Sequence, residues 1–347
     1  MTAVTPKRIC ILPRLSGVGG MVSFQQRLVA GLERRGVEVC YDLADTPYTA
    51  ILVVGGTRQL SGLWRAKRRG LPIVQRLDGM NWLHRLGSTG LRHSLRAEYG
   101  NTLLALIRSR LADRIIYQSE FARGWWERVH GSSPAPNVVV YNAVDLALFN
   151  PQGPHRRPED RYRVLLVEGS LMGGYELGLD VAEAMGAMLA ERLKVDGRQV
   201  ELVVVGRVTQ QVSDRWQGKA RLPLRWLGQV PPERIPEIDR SAHLLYSADL
   251  NAACPNSVIE AMACGLPVIA FDTGSLPELV TDGAGLVVPY GGDPWRLDSP
   301  DVESLAEAAL EVLLDQGSFR HAARRRAEAA FSLDVMVDGY LQALLAG

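Results

Sequence analysis

"RICILPRLSGVGGMVSFQQRLVAGLERRGVEVCYDL", residues 8–43, changes period twice. "RICILP" is a short apolar run with the character of a buried strand, and "GVGG" is a turn. "MVSFQQRLVAGLERR" spaces its apolar residues at helical intervals until Gly36 stops it, and "VEVCYDL" returns to a strand. Strand, glycine turn, helix, strand is the unit from which parallel sheets are wound. Outward from it the same alternation continues through "AILVVG", "LPIVQRL", a long helix ending near Asp113, "RIIYQS" and "NVVVYN". Ser119 is placed to cap the helix "EFARGWWERVH", which Gly131 ends.

Residues 150–161, "NPQGPHRRPEDR", form a polar, proline-rich break, after which the alternation restarts. Its strands are "YRVLLVEG", "VELVVVG", "LRWLG", "HLLYSA", "PVIAF" and "AGLVVP", with helices across "GLDVAEAMGAMLAERL" and "PERIPEIDRSA". Helical patterns at roughly 302–330 and 333–345 close the chain. At 347 residues the chain exceeds the usual size of one core. The expected fold class is α/β, with two doubly wound Rossmann-like domains. Residues 1–150 and 151–330 form the two domains, and a C-terminal helix over 331–347 returns to the first.

The composition, 47% hydrophobic and 22% charged, is that of a globular protein. No apolar run approaches the roughly 20 residues needed to cross a bilayer, and the N-terminal stretch has no secretory pattern, so a cytoplasmic location is expected. Cys10, Cys40, Cys254 and Cys264 lack metal-ligand or redox spacing and read as reduced core thiols. The net charge of +1 hides an imbalance: residues 1–150 hold 20 Lys+Arg against 10 Asp+Glu (+10), and residues 151–347 hold 19 against 28 (−9). The basic first half, with "RAKRRG" at 65–70, suits an anionic acceptor or peripheral contact with the inner face of a membrane. Solvated helix faces account for the same residues, and nothing in the pattern calls for nucleic acid.

Ligands of doubly wound sheets collect at the carboxyl ends of the strands. Gly17, Gly19 and Gly20 follow the first strand, Gly169 the first strand of the second domain, and Gly206 the next, although none completes G-x-G-x-x-G or a P-loop. In "ACPNSVIEAMACGLPVIAF", 253–271, one carboxylate, Glu260, rides a short helix among small and apolar residues. Ser257 and Glu260 fit the S-x-x-E capping box, and a ligand role is the competing reading. In the first domain Asp78, Asn81 and His84 follow a buried strand and are placed to reach a cleft, and a histidine there is able to accept a proton at neutral pH.

Four segments in order resemble a retaining, nucleotide-sugar-dependent glycosyltransferase of family 4 with GT-B architecture. They are "GVGGMVSFQQRLVAGLERRGVEV", then "ADRIIYQSEFARGWWERVHG" leading to "VVVYNAVDLALFNP", then "VELVVVGR" with "LRWLGQVPPERIPEI", and the match of 260–269 to E-A-M-A-x-G-x-P-V-I. The resemblance implies that Glu260 takes the donor ribose hydroxyls. It places the diphosphate at backbone groups near Asn256 and Ser257 and along the loops of Gly19, Gly20, Gly169, Ser170 and Gly206. The base is then read near Val230, the leaving-group charge is met by Arg207, and the acceptor hydroxyl is oriented by Asp78 or His84. Two departures stand out: the family's upstream glutamate is Ala252 here, and its Arg/Lys pair is missing from "EGSLMGGYELG", 168–178, where Ser170 and Tyr175 stand.

The expected reaction is therefore transfer of a hexose from a nucleoside diphosphate sugar to an acceptor hydroxyl, with retention, without metal and without a cofactor beyond the donor. The expected partners are a nucleotide sugar and a carbohydrate or lipid-linked acceptor. Two other readings share the fold: a catalytically silent nucleotide-sugar-binding protein or partner subunit, and a nucleotide-sugar epimerase.

Overall fold

The computed structural model describes residues 7–345 except 18, 87–89, 172–176 and 195–196, with backbone alone at Leu91, Ser170 and Gln217. The chain divides into two compact units, Met1–Ala143 with Leu333–Gly347, and Val144–Ser332. The boundary lies at Ala143/Val144, earlier than the proline-rich break, because the residues after it are fastened to the second unit. Val144 bridges Ser332, and the Arg324 guanidinium donates to the carbonyls of Phe149 at 2.8 Å and Ala263 at 2.7 Å.

In the first unit the strands are β1 (Arg8–Leu12), β2 (Glu38–Cys40), β3 (Ala50–Val54), β4 (Ile73–Leu77), β5 (Arg114–Tyr117) and β6 (Asn137–Val139). All pair in parallel in the order β2-β1-β3-β4-β5-β6. Its helices are α1 (Gly20–Arg34), α2 (Leu60–Arg68), α3 (Leu91–Leu106), prolonged by a π-helical turn (Ile107–Leu111), and α4 (Glu120–His130). The Ser119 hydroxyl caps α4 by accepting from the Ala122 N–H at 3.0 Å. Strand residues alternate between two cores, as a pleated sheet requires. Ile9, Ile11, Leu52 and Val54 meet α1 on one face, while Cys10, Leu12, Ile51 and Val53 meet α2 and the π-helical turn on the other. The four cysteines are buried and form no disulfide among the described residues.

The second unit holds β7 (Arg161–Ser170), β8 (Gln199–Arg207), β9 (Leu224–Gly228), β10 (Leu244–Tyr246), β11 (Val268–Phe271) and β12 (Gly285–Val288), in the parallel order β12-β11-β10-β7-β8-β9. Renumbered from β7 this is the doubly wound order 3-2-1-4-5-6, whose direction of winding reverses between β7 and β10. Its helices are α5 (Leu177–Leu193), α6 (Gln210–Gln217), α7 (Ile235–Ser241), α8 (Asn256–Ala263), α9 (Leu276–Leu279), α10 (Val302–Leu314) and α11 (Gln316–Ala330). The single pattern over 302–330 is two helices, since the Asp315 carboxylate caps α11 by accepting from the Ser318 N–H at 3.4 Å. The last helix, α12 (Leu333–Leu345), completes the first unit's core, where Tyr340 stands 5.4 Å from the Phe24 ring. Among the described residues no helix is long and apolar enough to cross a membrane.

Candidate functional site

The winding of the second sheet reverses between β7 and β10, where a parallel sheet opens to ligands. β7 carries Glu168 near its carboxyl end and β10 is followed by Asp249, so adjacent strands deliver two half-buried carboxyl groups to one edge. Burial, and then the charge of Asp249, hold the Glu168 carboxyl well above its usual range, against the Ala248 N–H that bonds it. Burial raises Asp249 to about 6. Like charges this close share protons. Gly206 is required here: its φ is +144°, and a Cβ would lie 2.1 Å from the Glu168 carbonyl oxygen. Gly169, by contrast, is exposed with open space around it, and nothing is described of the Ser170 side chain; Tyr175 lies outside the described residues.

Arg207 ends β8 opposite Ser170, its carbonyl accepting from the Leu171 N–H at 3.0 Å. Its side chain is exposed and makes no hydrogen bond or ion pair among the described residues. Val230, half-buried, follows the edge strand β9, away from the reversal point.

On the other flank α8 begins at Asn256 with Pro255 at its N-cap and no side-chain cap. The capping box is therefore not formed: Ser257 is the second helical residue, and Glu260, half-buried, lies in the second turn. No acidic residue occupies the first turn, so its backbone N–H groups keep their partial positive charge. Glu260 faces α7, where its charge helps to raise Asp239, although burial is the larger cause; Arg240 and the Cys264 thiol act against both. Asp239 is buried with one carboxyl oxygen unpartnered.

Ala252 is buried beneath the loop after β11. Gly274, with a φ of +61°, leaves only 2.5 Å between a Cβ and the Ala252 nitrogen, and the Ser275 N–H donates to the Ala252 carbonyl at 2.9 Å. Around this contact Ser247 Oγ, Asn251 Nδ2, Thr273 Oγ1 and Ser275 Oγ are buried without hydrogen-bond partners.

In the first unit Gly19, with a φ of +141°, precedes α1, which Gly20 opens. Gln25 pins the loop before them, accepting from the Leu15 N–H at 2.8 Å and donating to the Pro13 carbonyl at 2.9 Å. Asp78 follows β4, its carbonyl accepting from the Trp126 indole at 2.7 Å. Burial raises its carboxyl, and Arg76, 3.9 Å away, opposes that. Arg76 is itself buried: its guanidinium lies 3.7 Å from the Phe24 ring centroid, donates to Asn142 Oδ1 at 3.2 Å, and meets the Gln118 carboxamide oxygen at 2.9 Å. His84 is buried in a 3-10 turn, its Nε2 2.8 Å from Glu98 and its Nδ1 without a partner. Arg85 and His84 together hold the Glu98 carboxyl down at about 2.

The sequence reading names Arg207, Glu260 and Asp78 and does not name Arg76 or the pair Glu168 and Asp249, which the structure places at strand ends. Each of these is a lone charge at the end of an apolar strand, visible in "LPIVQRL", "RVLLVEG" and "HLLYSAD", but their neighbours follow only from strand order.

Residues 163–315 match the family model described as glycosyl transferases group 1. D-inositol 3-phosphate glycosyltransferase of Salinispora arenicola is 26% identical over 253 residues, 67% of this chain and 54% of that protein. Phosphatidyl-myo-inositol mannosyltransferase of Mycolicibacterium smegmatis is 29% identical over 203 residues, 57% of this chain and 47% of that one. The chain spans about half the length of these relatives. Sucrose-phosphate synthase from Thermosynechococcus elongatus superposes with a TM-score of 0.72 at 18% identity over 99% of this chain and 100% of that one. Anabaena HepE in complex with UDP-glucose gives 0.68 at 17% identity over 98% and 100%. The two-unit fold is GT-B.

Proposed function

We propose that this chain is a group 1 glycosyltransferase of the retaining, family 4 kind. In this reading it moves a hexose from a nucleoside diphosphate sugar to a hydroxyl of a carbohydrate or lipid-linked acceptor, with no metal and no cofactor beyond the donor. The observation that carries the reading is the α8 turn, set in the stretch that matches the family model: an uncapped helix N-terminus without an acid, and Glu260 one turn further on. Such a terminus accepts phosphate charge, and a carboxylate beside it is able to take two ribose hydroxyls. The relatives' names and the UDP-glucose bound by HepE support a nucleotide-sugar donor.

The chain's work is positioning and electrostatics. Arg207, exposed and unpaired among the described residues, meets the charge that develops on the departing diphosphate. On the acceptor side Asp78 orients the hydroxyl, braced by Arg76, while His84, its Nε2 spent on Glu98, is a positioning residue. The protein works in the cytoplasm, at the inner face of the membrane. Calorimetric titration of the wild type and Glu260→Ala with UDP, GDP, ADP and their sugars tests the donor site. A ten- to hundred-fold loss in the variant is expected for a lost charge-assisted contact of about 1.5–3 kcal/mol, and full affinity in the variant overturns it.

A second reading, binding without turnover, is favoured by Ala252, buried where the family's glutamate would stand, and by the uncompensated Glu168 and Asp249. Donor consumption separates the readings. Transfer needs an acceptor, epimerisation does not, and a silent protein binds donor without consuming it.

A further inference from the structure

At the amino ends of its strands the second sheet has another edge, and there the charges are cations. His243 precedes β10 and exchanges two bonds with Arg163 of β7: its N–H donates to the Arg163 carbonyl and its Nδ1 accepts from the Arg163 N–H, each at 2.9 Å. The proton of the neutral ring therefore stands on Nε2. Burial, and then the charges of Arg157, Arg320, Arg163 and Arg198, keep this buried histidine neutral, down at about 3. Arg163 has an acid, Glu201, at 2.6 Å, and Arg198 donates to the Tyr162 hydroxyl at 2.5 Å. Arg157 and Arg320, both half-buried, pair with no acid among the described residues. Arg320 donates to the Ala242 carbonyl at 3.1 Å, and burial, with the Arg157 charge, brings it down to about 10. Arg157 Nε is buried without a hydrogen-bond partner, and its Nη2 reaches only the His155 imidazole, at 3.5 Å. The proline-rich segment that carries Arg157 is held in place. Buried Arg240 donates to the carbonyls of Asn150 at 3.1 Å and Pro154 at 3.3 Å, and Arg163 donates to that of Arg156 at 3.4 Å. Two desolvated guanidinium groups fixed within reach of each other's charge are costly unless an anion joins them.

We propose that Arg157 and Arg320, with His243 Nε2 as a neutral donor, form a binding site for a phosphate group, taken as inorganic phosphate or as a phosphomonoester. Guanidinium forks match the oxygens of phosphate, and a dianion meets both charges where a carboxylate would meet one. The site lies at the edge of the sheet opposite the α8 turn, so it stands whether or not the chain transfers sugar.

The test is calorimetric titration and thermal denaturation of the full chain with sodium phosphate, glycerol 3-phosphate and, at matched ionic strength, sodium acetate, above the second ionisation of phosphate. The wild-type midpoint is expected to rise with either phosphate compound and not with acetate. Equal affinity for the two assigns the site to free phosphate, and tighter binding of glycerol 3-phosphate assigns it to an ester. Arg157→Gln and Arg320→Gln are each expected to weaken binding at least about ten-fold, the loss of a charge-assisted contact. Arg325→Gln, exposed on the same helix α11, is expected to change it less than about two-fold, since an exposed charge is screened. In phosphate-free buffer Arg157→Gln is expected to melt no lower than wild type, because it removes a charge that the protein leaves unpaired. The proposal is overturned by a midpoint gain no larger than that in acetate, or by an Arg325→Gln loss matching that of Arg157→Gln. Undiminished phosphate affinity in Arg157→Gln also overturns it, returning the anion to the α8 turn. So does a lower melting point of Arg157→Gln without phosphate, which would make Arg157 a structural residue with a partner in the protein.

Discussion

At the carboxyl edge of the first sheet the buried charge is a guanidinium, Arg76, met by an aromatic face, two side-chain carboxamides and the Asp78 carboxylate. At the matching edge of the second sheet the charges are carboxyls, Glu168 and Asp249, which face each other without a cation to counter them among the described residues. Both edges end apolar strands, so burial makes each charge costly. The first edge meets that cost with partners and becomes rigid; the second meets it by holding protons and becomes sensitive to pH.

Removing the partnered charge should do the most damage. Arg76→Ala removes the guanidinium that Asn142 and Gln118 share and leaves the Asp78 carboxylate without its neighbouring cation, and a loss of about 3–5 kcal/mol is expected for a broken buried pair. Urea denaturation reads it, and a loss below about 1 kcal/mol would erase the contrast between the edges.

The unpartnered carboxyls should show themselves through pH. Glu168 and Asp249 bind protons more tightly folded than unfolded. The stability they contribute is complete below the ordinary carboxylate range and is lost as pH rises through about 6, for Asp249, and further for Glu168. Glu168→Gln with Asp249→Asn should flatten that decline, making the variant more stable than wild type at pH 8 by roughly 1–3 kcal/mol. Denaturation midpoints from pH 4.5 to 8 measure it, and parallel curves for the two proteins would show that the carboxyls do not interact.

The smallest expected contrast concerns helix starts. Ser119→Ala removes a cap in the first unit and should cost about 1 kcal/mol, whereas Ser257→Ala removes none in the second and should cost no more than about 0.3 kcal/mol. Thermal melts of the two variants order them.

The strands were legible because apolar runs bounded by glycine and proline announce themselves locally, as in "RICILP" and "PVIAF". Sheet order was not, since a crossover sends a strand to either side of its predecessor; Glu168 and Asp249 are therefore 81 positions apart in sequence and neighbours only through β7 and β10. Arg76 in "LPIVQRL" was hidden for the same reason, its partners Phe24 and Asn142 lying far away in both directions. Ser257 misled because a capping motif is read from spacing, whereas the start of the helix is set one residue earlier, after Pro255.

The first unit takes α12 into its core: Leu333, Met336, Val337, Tyr340 and Leu344 pack among residues of β1, β3 and α1. The fit is close enough that a Cβ on Gly31 would lie within van der Waals exclusion of Val337. During synthesis on the ribosome, then, the unit that emerges first waits with an open core while the whole of Val144–Ser332 is made, and it closes only when α12 follows. Birth order and order of completion are reversed, and the half-made first unit is the form in which this chain most needs a chaperone.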